Sequence, residues 1–494
     1  MKRKKLQKKY FLFKSRQGAI LITTLVFTFI FIVMSTALLG NIVAQYKAGV
    51  QRVARTNALQ IAEAGINYYK WHLDNFTDDY ADGTAQTGCN PCGPYIHDYE
   101  DPNSSIIGKF ELYITPPKIG STIVKIKSTG WTIDSPKNKR YLAVRYGRSS
   151  WAQFAVVANA AMRFGAGTIV HGPIHANGGI RFDGVAYNEA TSGATTYNDA
   201  DSDACTVNSW GVHTCVAPPD PTPPTNPPDR QDVFIGGRRY PVPNVDFDSI
   251  SVDLSQLTID ANADGVYLNP SNKQGYHIQF LGSSQFQYRT VKTTSTCTWS
   301  GGTQSASMGD INQYQGNWTT ANLPNNGIIF VEDNAWIDGT INGKFITIIA
   351  AKEPLATGLA DVWINNDILY SAKDGTSGLG IIAQNNISVG LFSEDDLEVD
   401  AALLAQKGRV GRFYYPSDCN ATYYKRSAIS VYGSIATYKR YGFSWNCAGV
   451  YCSGYQTRNL DYDKNLIYSP PPSFPTSGEY TFIKWDELLP GESY

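Results

Sequence analysis

The sequence predicts a mainly β protein of α+β type: a long membrane-spanning helix at the N-terminus, a small antiparallel β meander, and then a large parallel β-helix-like body. Three observations carry that reading. Residues 18–40 run for 23 positions without a charge. No amphipathic helix longer than two turns is readable after residue 151. The 494 residues include 44 Gly, 25 Pro and 31 Tyr but only 17% charged side chains, a composition suited to a turn-rich β protein outside the cell. The length allows about three average domains. Charge is uneven. The first 62 residues hold eleven Lys or Arg and no acid, so the remaining chain carries 31 cations against 43 anions. That acidic body is unlike a nucleic-acid-binding one.

As a helix, the uncharged run is long enough to cross the ~30 Å hydrocarbon layer. Eight cations precede it, and only Lys47, Arg52 and Arg55 follow closely. The positive-inside rule then keeps the short basic end, residues 1–18, in the cytoplasm and sends the body out of it. An ordinary secretory signal would have a shorter apolar core and a small-residue cleavage site behind it. From Ser35 to Phe76 there is no proline, and Tyr46, Val50, Val53, Asn57, Ile61, Ala64 and Tyr68 recur at helical spacing. The membrane helix is therefore expected to continue into water, for about 80 Å from Ala19 to His72 at ~1.5 Å per residue. A single-pass anchor with a short helical stalk is the plainer alternative.

Two stretches carry a family resemblance. The basic leader ending in Gly18, followed by Ala19-Ile20-Leu21-Ile22, resembles the class III signal of type IV prepilins and pseudopilins. The run Ile61-Ala62-Glu63-Ala64-Gly65-Ile66 resembles a segment of PilX-type minor pilins. Together they cover about the first 75 residues, and residues 19–75 correspond to the pilin-like helix. The resemblance implies prepilin-peptidase cleavage between Gly18 and Ala19, N-methylation of Ala19, and assembly through a helix that includes Thr23, Val26, Glu63 and Gly65. Major pilins usually carry Glu at the fifth mature position, where this chain has Thr23. That departure favours a minor or tip subunit.

Residues 77–105, rich in Asp, Gly, Asn and Pro, read as loop. Segments 110–114, 122–127 and 141–146 read as three antiparallel strands, so that residues 76–150 form a small β region over the helix. The phrase Ser128-Thr129-Gly130-Trp131 is similar to the PilX-type pattern.

The larger body is assigned to residues 151–494. Short apolar segments at 343–349, 361–364, 379–383, 401–405 and 429–432 are separated by Asn and Gly corners. Asn365-Asn366-Asp367-Ile368 is echoed by Asn385-Asn386-Ile387, and Ala383-Gln384 by Ala405-Gln406. A repeat near twenty residues suits coils of a parallel β-helix, with residues 168–180 as an early rung. A β-sandwich is the alternative. Residues 217–229 hold seven prolines and read as an extended spacer. The closing residues 461–475 with Trp485 resemble the end of β-helical domains of unknown function attached to PilX-type N-termini.

Eight cysteines, Cys89, Cys92, Cys205, Cys215, Cys297, Cys419, Cys447 and Cys452, all lie beyond the membrane run. They are read as disulfides. Short separations favour Cys89 with Cys92, Cys205 with Cys215 and Cys447 with Cys452, leaving Cys297 for Cys419. One true CxxC pair is too few for a four-cysteine zinc site. Asp199, Asp201 and Asp203 are alternate carboxylates that could converge on calcium, although the loop lacks the Gly and distal Glu of an EF-hand. Residues 394–396 are a weaker acidic run. His171 and His175 stand four apart without the Glu of a helical zinc-protease motif, and no GxSxG, P-loop or GxGxxG is present. The expectation is a non-enzymatic, pilin-like surface protein without a cofactor. Its partners would be other pilin-like subunits, the cytoplasmic membrane, and a surface or carbohydrate ligand, with no nucleic acid. A β-helical polysaccharide-active enzyme and a permanently anchored stalked adhesin are the alternatives.

Overall fold

A computed structural model describes residues 17–84, 86–118, 120–201, 203–247, 254–447 and 449–492. Residues 1–16 of the basic leader lie outside the described residues, as do the side chains of Gly18 and Ala19. Helix α1, Gln17–Asn75, is continuous over 59 residues, about 89 Å at ~1.5 Å per residue. Its apolar first part contains no proline, and its threonines remain helical by bonding back to the preceding turn. Thr23 Oγ1 donates to Ile20 O at 3.0 Å and Thr28 Oγ1 to Thr24 O at 2.7 Å. Hydroxyls satisfied within the helix are compatible with lipid around them.

Four antiparallel strands follow in meander order: β1, Cys92–Glu100; β2, Ile106–Thr115; β3, Ile123–Thr132; and β4, Arg140–Ser150. β1 occupies a stretch that the sequence suggests is loop. Its Pro94, which has no N–H to donate, is tolerated because β1 is an edge strand. The other edge is closed by the C-terminal strand Thr476–Leu488, which pairs antiparallel with β4. The boundary at residue 151 therefore needs correcting, since this last strand belongs to the small sheet.

The C-terminal third of α1 lies on that sheet. Ala58, Ile61, Ala62, Ile66, Tyr69 and Leu73 are buried at helical spacing, and the last five share a core with Phe110, Leu112, Ile114, Val124, Ile126, Leu142 and Val144. This buried stripe is rotated from the one expected. Only Ile61 is common to both, while Tyr46, Val50 and Val53 remain exposed. The rotation follows from size, because the small residues allow close approach. A Cβ on Gly130 would sit 2.3 Å from Ala58 O and 2.4 Å from Ala62 N. One on Gly65 would sit 2.5 Å from Ser128 Oγ.

The remaining chain forms a large β-rich body with parallel and antiparallel pairing. One parallel ladder aligns Ile329, Ile348, Ile381, Leu403, Ile435, Val156, Ile174 and Ala190 as successive partners. All eight are core residues. The spatial order shows the chain entering mid-stack at Val156–Ala158, building outward to Arg238–Arg239, and restarting at the opposite end with Val266–Leu268. From there it returns until Ile435 pairs beside Val156. The ladder is parallel, unlike the antiparallel sheets of a sandwich. Its strands read as unbroken apolar runs because the outer face is covered too. Phe330, Ile349, Ile382 and Leu404 pack with Leu466, Phe474 and helix α2, Leu254–Asp264. At 11 residues, α2 exceeds the two-turn limit expected beyond residue 151.

Only one of the two sequence echoes is a stacking repeat. Ala383 pairs directly with Ala405. Asn365 and Asn385 are out of phase, because Val362 pairs with Ile387 and Ile364 with Val389. Gly275–Leu281 pairs parallel with Ala335–Ile341, and an antiparallel excursion, Gln285–Thr293 and Gln313–Asn322, extends from it. Residues 217–229 contain no strand. Arg230 pins this crossover by donating to Val216 O at 3.1 Å and Pro218 O at 2.6 Å. Disulfides join Cys89–Cys92, Cys205–Cys215, Cys297–Cys419 and Cys447–Cys452.

The helix–sheet contact can be tested with two glycines. Gly130→Ala should destabilise the chain by about 1–3 kcal/mol through overpacking. Gly49→Ala, whose Cβ meets nothing within 4 Å, should be neutral or slightly stabilising. Denaturant melts of the detergent-solubilised protein measure both.

Candidate functional site

The expected assembly residues fall into two environments along α1. Val26 is 49% exposed among similarly open Leu25, Phe27, Phe29 and Phe31, with nothing among the described residues covering them. α1 is long and apolar enough to cross a membrane. Thr23 sits on the same bare rod. Glu63 and Gly65 instead lie in the part that meets the sheet. Gly65 is buried and makes the close approach to Ser128 and Phe110. Glu63 is half-buried and makes no hydrogen bond or ion pair among the described residues. Where the rod leaves the head, Tyr46, Val50 and Val53 form an open groove with Tyr99 and Ile107. This upper part of the expected stripe is thus apolar but faces away from the protein's own core.

The acidic loop does not fit a calcium site. Arg163 donates to Asp203 Oδ1 at 2.6 Å and to Asp201 Oδ2 at 3.3 Å. Arg440 grips Asp201 with two bonds of 2.8 and 2.6 Å, and Arg181 lies 3.6 Å from Asp199. Carboxylates already neutralised by three guanidinium groups have little charge to offer a hard cation. The Arg440 hydrogen bonds hold the Asp201 carboxyl below its ordinary range, and those of Arg163 do the same for Asp203.

No family model and no curated protein matches the sequence. Among solved structures, the competence-associated pilin ComZ from Thermus thermophilus is similar over 88% of this chain and 98% of that one, at 14% identity and a TM-score of 0.27. A superposition that loose does not establish a shared fold.

The histidines separate by role. His171 makes an exposed pair with Asp461 at 2.7 Å, whereas His175 is buried between Thr191 and Asn177. The two do not converge on one site. Cys205, His213 and Cys215 lie together, but the two sulfurs are joined to each other. Sequence reading missed His277, whose ring bridges Asp338 at 2.8 Å and Tyr314 at 2.7 Å in a cleft floored by Trp336 and Trp363. Burial alone would raise Asp338, yet the His277 and Asn366 hydrogen bonds bring its carboxyl below the ordinary range. The arginines around the acidic loop were also missed, since Arg163, Arg181 and Arg440 are far apart in sequence and share no motif.

The loop's ion pairs set a pH dependence. Asp201 and Asp203 are depressed from 3.8 in the folded state, so their stabilisation is full above that value and is lost as pH falls below it through the folded pKa. The stability gap between the wild type and an Asp201→Asn/Asp203→Asn variant should therefore be constant above about pH 5 and shrink below about pH 4. Urea melts across that range measure it.

Proposed function

We propose that this chain is a membrane-anchored, pilin-like subunit that enters a type IV pilus-like assembly through α1, as a minor or tip component, and presents a β-helix-like body to partners. The observation that carries the reading is the apolar first part of α1, exposed along its whole length while the C-terminal part is fixed to the head. Such a surface needs a second environment, and each large side chain buried there gains about 1.5–3 kcal/mol. Lipid provides that environment before assembly, and sister helices provide it afterwards. In this reading prepilin peptidase cuts between Gly18 and Ala19 on the cytoplasmic side, and Ala19 becomes N-methylated. With Thr23 at the fifth mature position, the subunit has no carboxylate to pair with a neighbour's terminal amine.

The charges beyond the apolar run support side-by-side packing. Glu63 and Arg52 stand eleven residues apart on nearly the same helical line, so parallel helices staggered by about 17 Å bring one beside the other. The stacked ladders suit a display module, because each rung buries a thin inward core and leaves loops free outside. Adhesion through those loops and the absence of catalysis belong to the same proposal.

Two measurements test it. Mass spectrometry of the native protein should find an N-terminus at Ala19 carrying a methyl group, and an intact Met1 in cells with active prepilin peptidase would refute the pilin reading. Val26→Asp costs the membrane helix about 3 kcal/mol of insertion, which the remaining apolar run outweighs. The variant should stay in the membrane fraction but lose most of its surface-assembled fraction. Unchanged assembly would sink the helix-packing mechanism.

A further inference from the structure

Beside the acidic loop, the body contains a partly open pocket of about 230 Å³. Arg163, Arg409, Arg440 and Arg458 line it, and Asp201 is the one carboxylate among its lining residues. The arginines differ in how they are held. Arg163 and Arg440 are oriented by Asp201 and Asp203, as described above. Arg458 has no acidic partner among the described residues. Its Nη2 donates to Gly165 O at 3.0 Å, Ala166 O at 2.7 Å and Thr168 Oγ1 at 2.8 Å. Arg409 donates to the Arg412 carbonyl, lies 5.3 Å from the centre of the Trp445 ring, and keeps a buried Nε with no acceptor among the described residues. Carbonyl dipoles fix these groups in place but do not cancel their full charges.

The imbalance extends behind the wall. Arg412 is fully buried and bonds to the carbonyls of Leu391, Tyr423 and Tyr424. Burial pushes Arg409, Arg412 and Arg458 down from the ordinary arginine value, and the nearby Arg440 charge adds to the effect on Arg409. A body with a net surplus of acids thus concentrates uncompensated cations around one small cavity. Disulfides Cys205–Cys215 and Cys447–Cys452 close loops that follow the lining residues Asp201 and Asn446 in sequence. The guanidinium groups are preorganised by their own hydrogen bonds to carbonyls and carboxylates, and their planar forks match the geometry of an oxyanion. The pocket has room for one such group with a small substituent.

We propose that this pocket is an oxyanion-binding site that takes a single phosphate, sulfate or carboxylate group, either free or carried on a sugar. Arg440 and Arg409 would supply the charged contacts, while Arg458 and Arg163 complete the field. The site does not rest on the assembly reading, because it requires only the folded body.

Calorimetric titration of the full chain in detergent tests the site. The probes are inorganic phosphate, sulfate, glucose 6-phosphate and glucuronate, with glucose and chloride at matched ionic strength as controls. Saturable one-to-one binding of at least one oxyanion, absent for glucose and chloride, is expected. Tighter binding of the sugar-linked anions would assign the group to a glycan, and equal binding to a free ion; either supports the site. Arg440→Gln and Arg409→Gln should each weaken binding about tenfold. Arg440 is half exposed, and Asp201 retains Arg163 without it, so that variant remains decisive even if the Arg409 variant does not fold. No saturable binding by any probe, or unchanged affinity in the Arg440→Gln variant, would overturn the proposal. Neither result would bear on the processing or packing of α1.

Discussion

The contact between α1 and the small sheet is the constraint on which the rest of the molecule depends. It is made by backbone approaching backbone, with Gly130 set against the Ala58 carbonyl and the Ala62 amide, and with Gly65 facing Ser128 and Phe110. A helix held by long side chains can rock as rotamers change, whereas one seated on glycines has little room to do so. The unbroken rod therefore leaves the head in a direction set by the sheet. Its exposed apolar surface, more than thirty residues long, is then carried on the same rigid body as the head.

The path of the chain through the large body reinforces that rigidity. Because the stack is entered in its middle, its first rung and its last returning rung are neighbours, joined where Ile435 pairs beside Val156. The ends of the body consequently emerge close together. β4 runs directly into Trp151, and the C-terminal strand returns to pair along β4. Two connections therefore join the small sheet to the body. A force applied to α1 is shared between them, and a cut in either leaves the other intact.

Features governed by local physics were legible in the sequence. The apolar run of α1 is a matter of length and charge, and the apolar segments at 343–349 and 379–383 marked two of the ladder's strands, though not the cover over their outer face. Short cysteine separations pointed to the easily closed loops. What escaped was set by contacts distant in sequence. The stripe of α1 was phased by its large residues, yet the sheet selected the small ones, because Ala58, Ala62 and Gly65 permit the nearer approach. The strand after residue 475 has nothing local to assign it to a sheet formed more than three hundred residues earlier. Likewise, alternate carboxylates in a loop can serve a metal or arginines, and the deciding groups, Arg163 and Arg440, lie far from the loop in sequence and on opposite sides of it.

The arginine cluster shows why total charge is a poor guide to local chemistry here. Charges separated through solvent by more than about 10 Å are largely screened, so the acidic surplus of the body does little at the pocket. At its wall the nearest groups count, and they are Arg409 and Arg458 bonded to carbonyls beside two arginines bonded to acids. Burying a guanidinium without a counter-ion is costly, and replacing it with an apolar side chain would remove that cost. Carbonyl clamps alone therefore give a weak reason for two such groups to line one pocket. An anion entering from solvent would gain from all the lining arginines at once, and their existing hydrogen bonds would hold the guanidinium groups in position before it arrived.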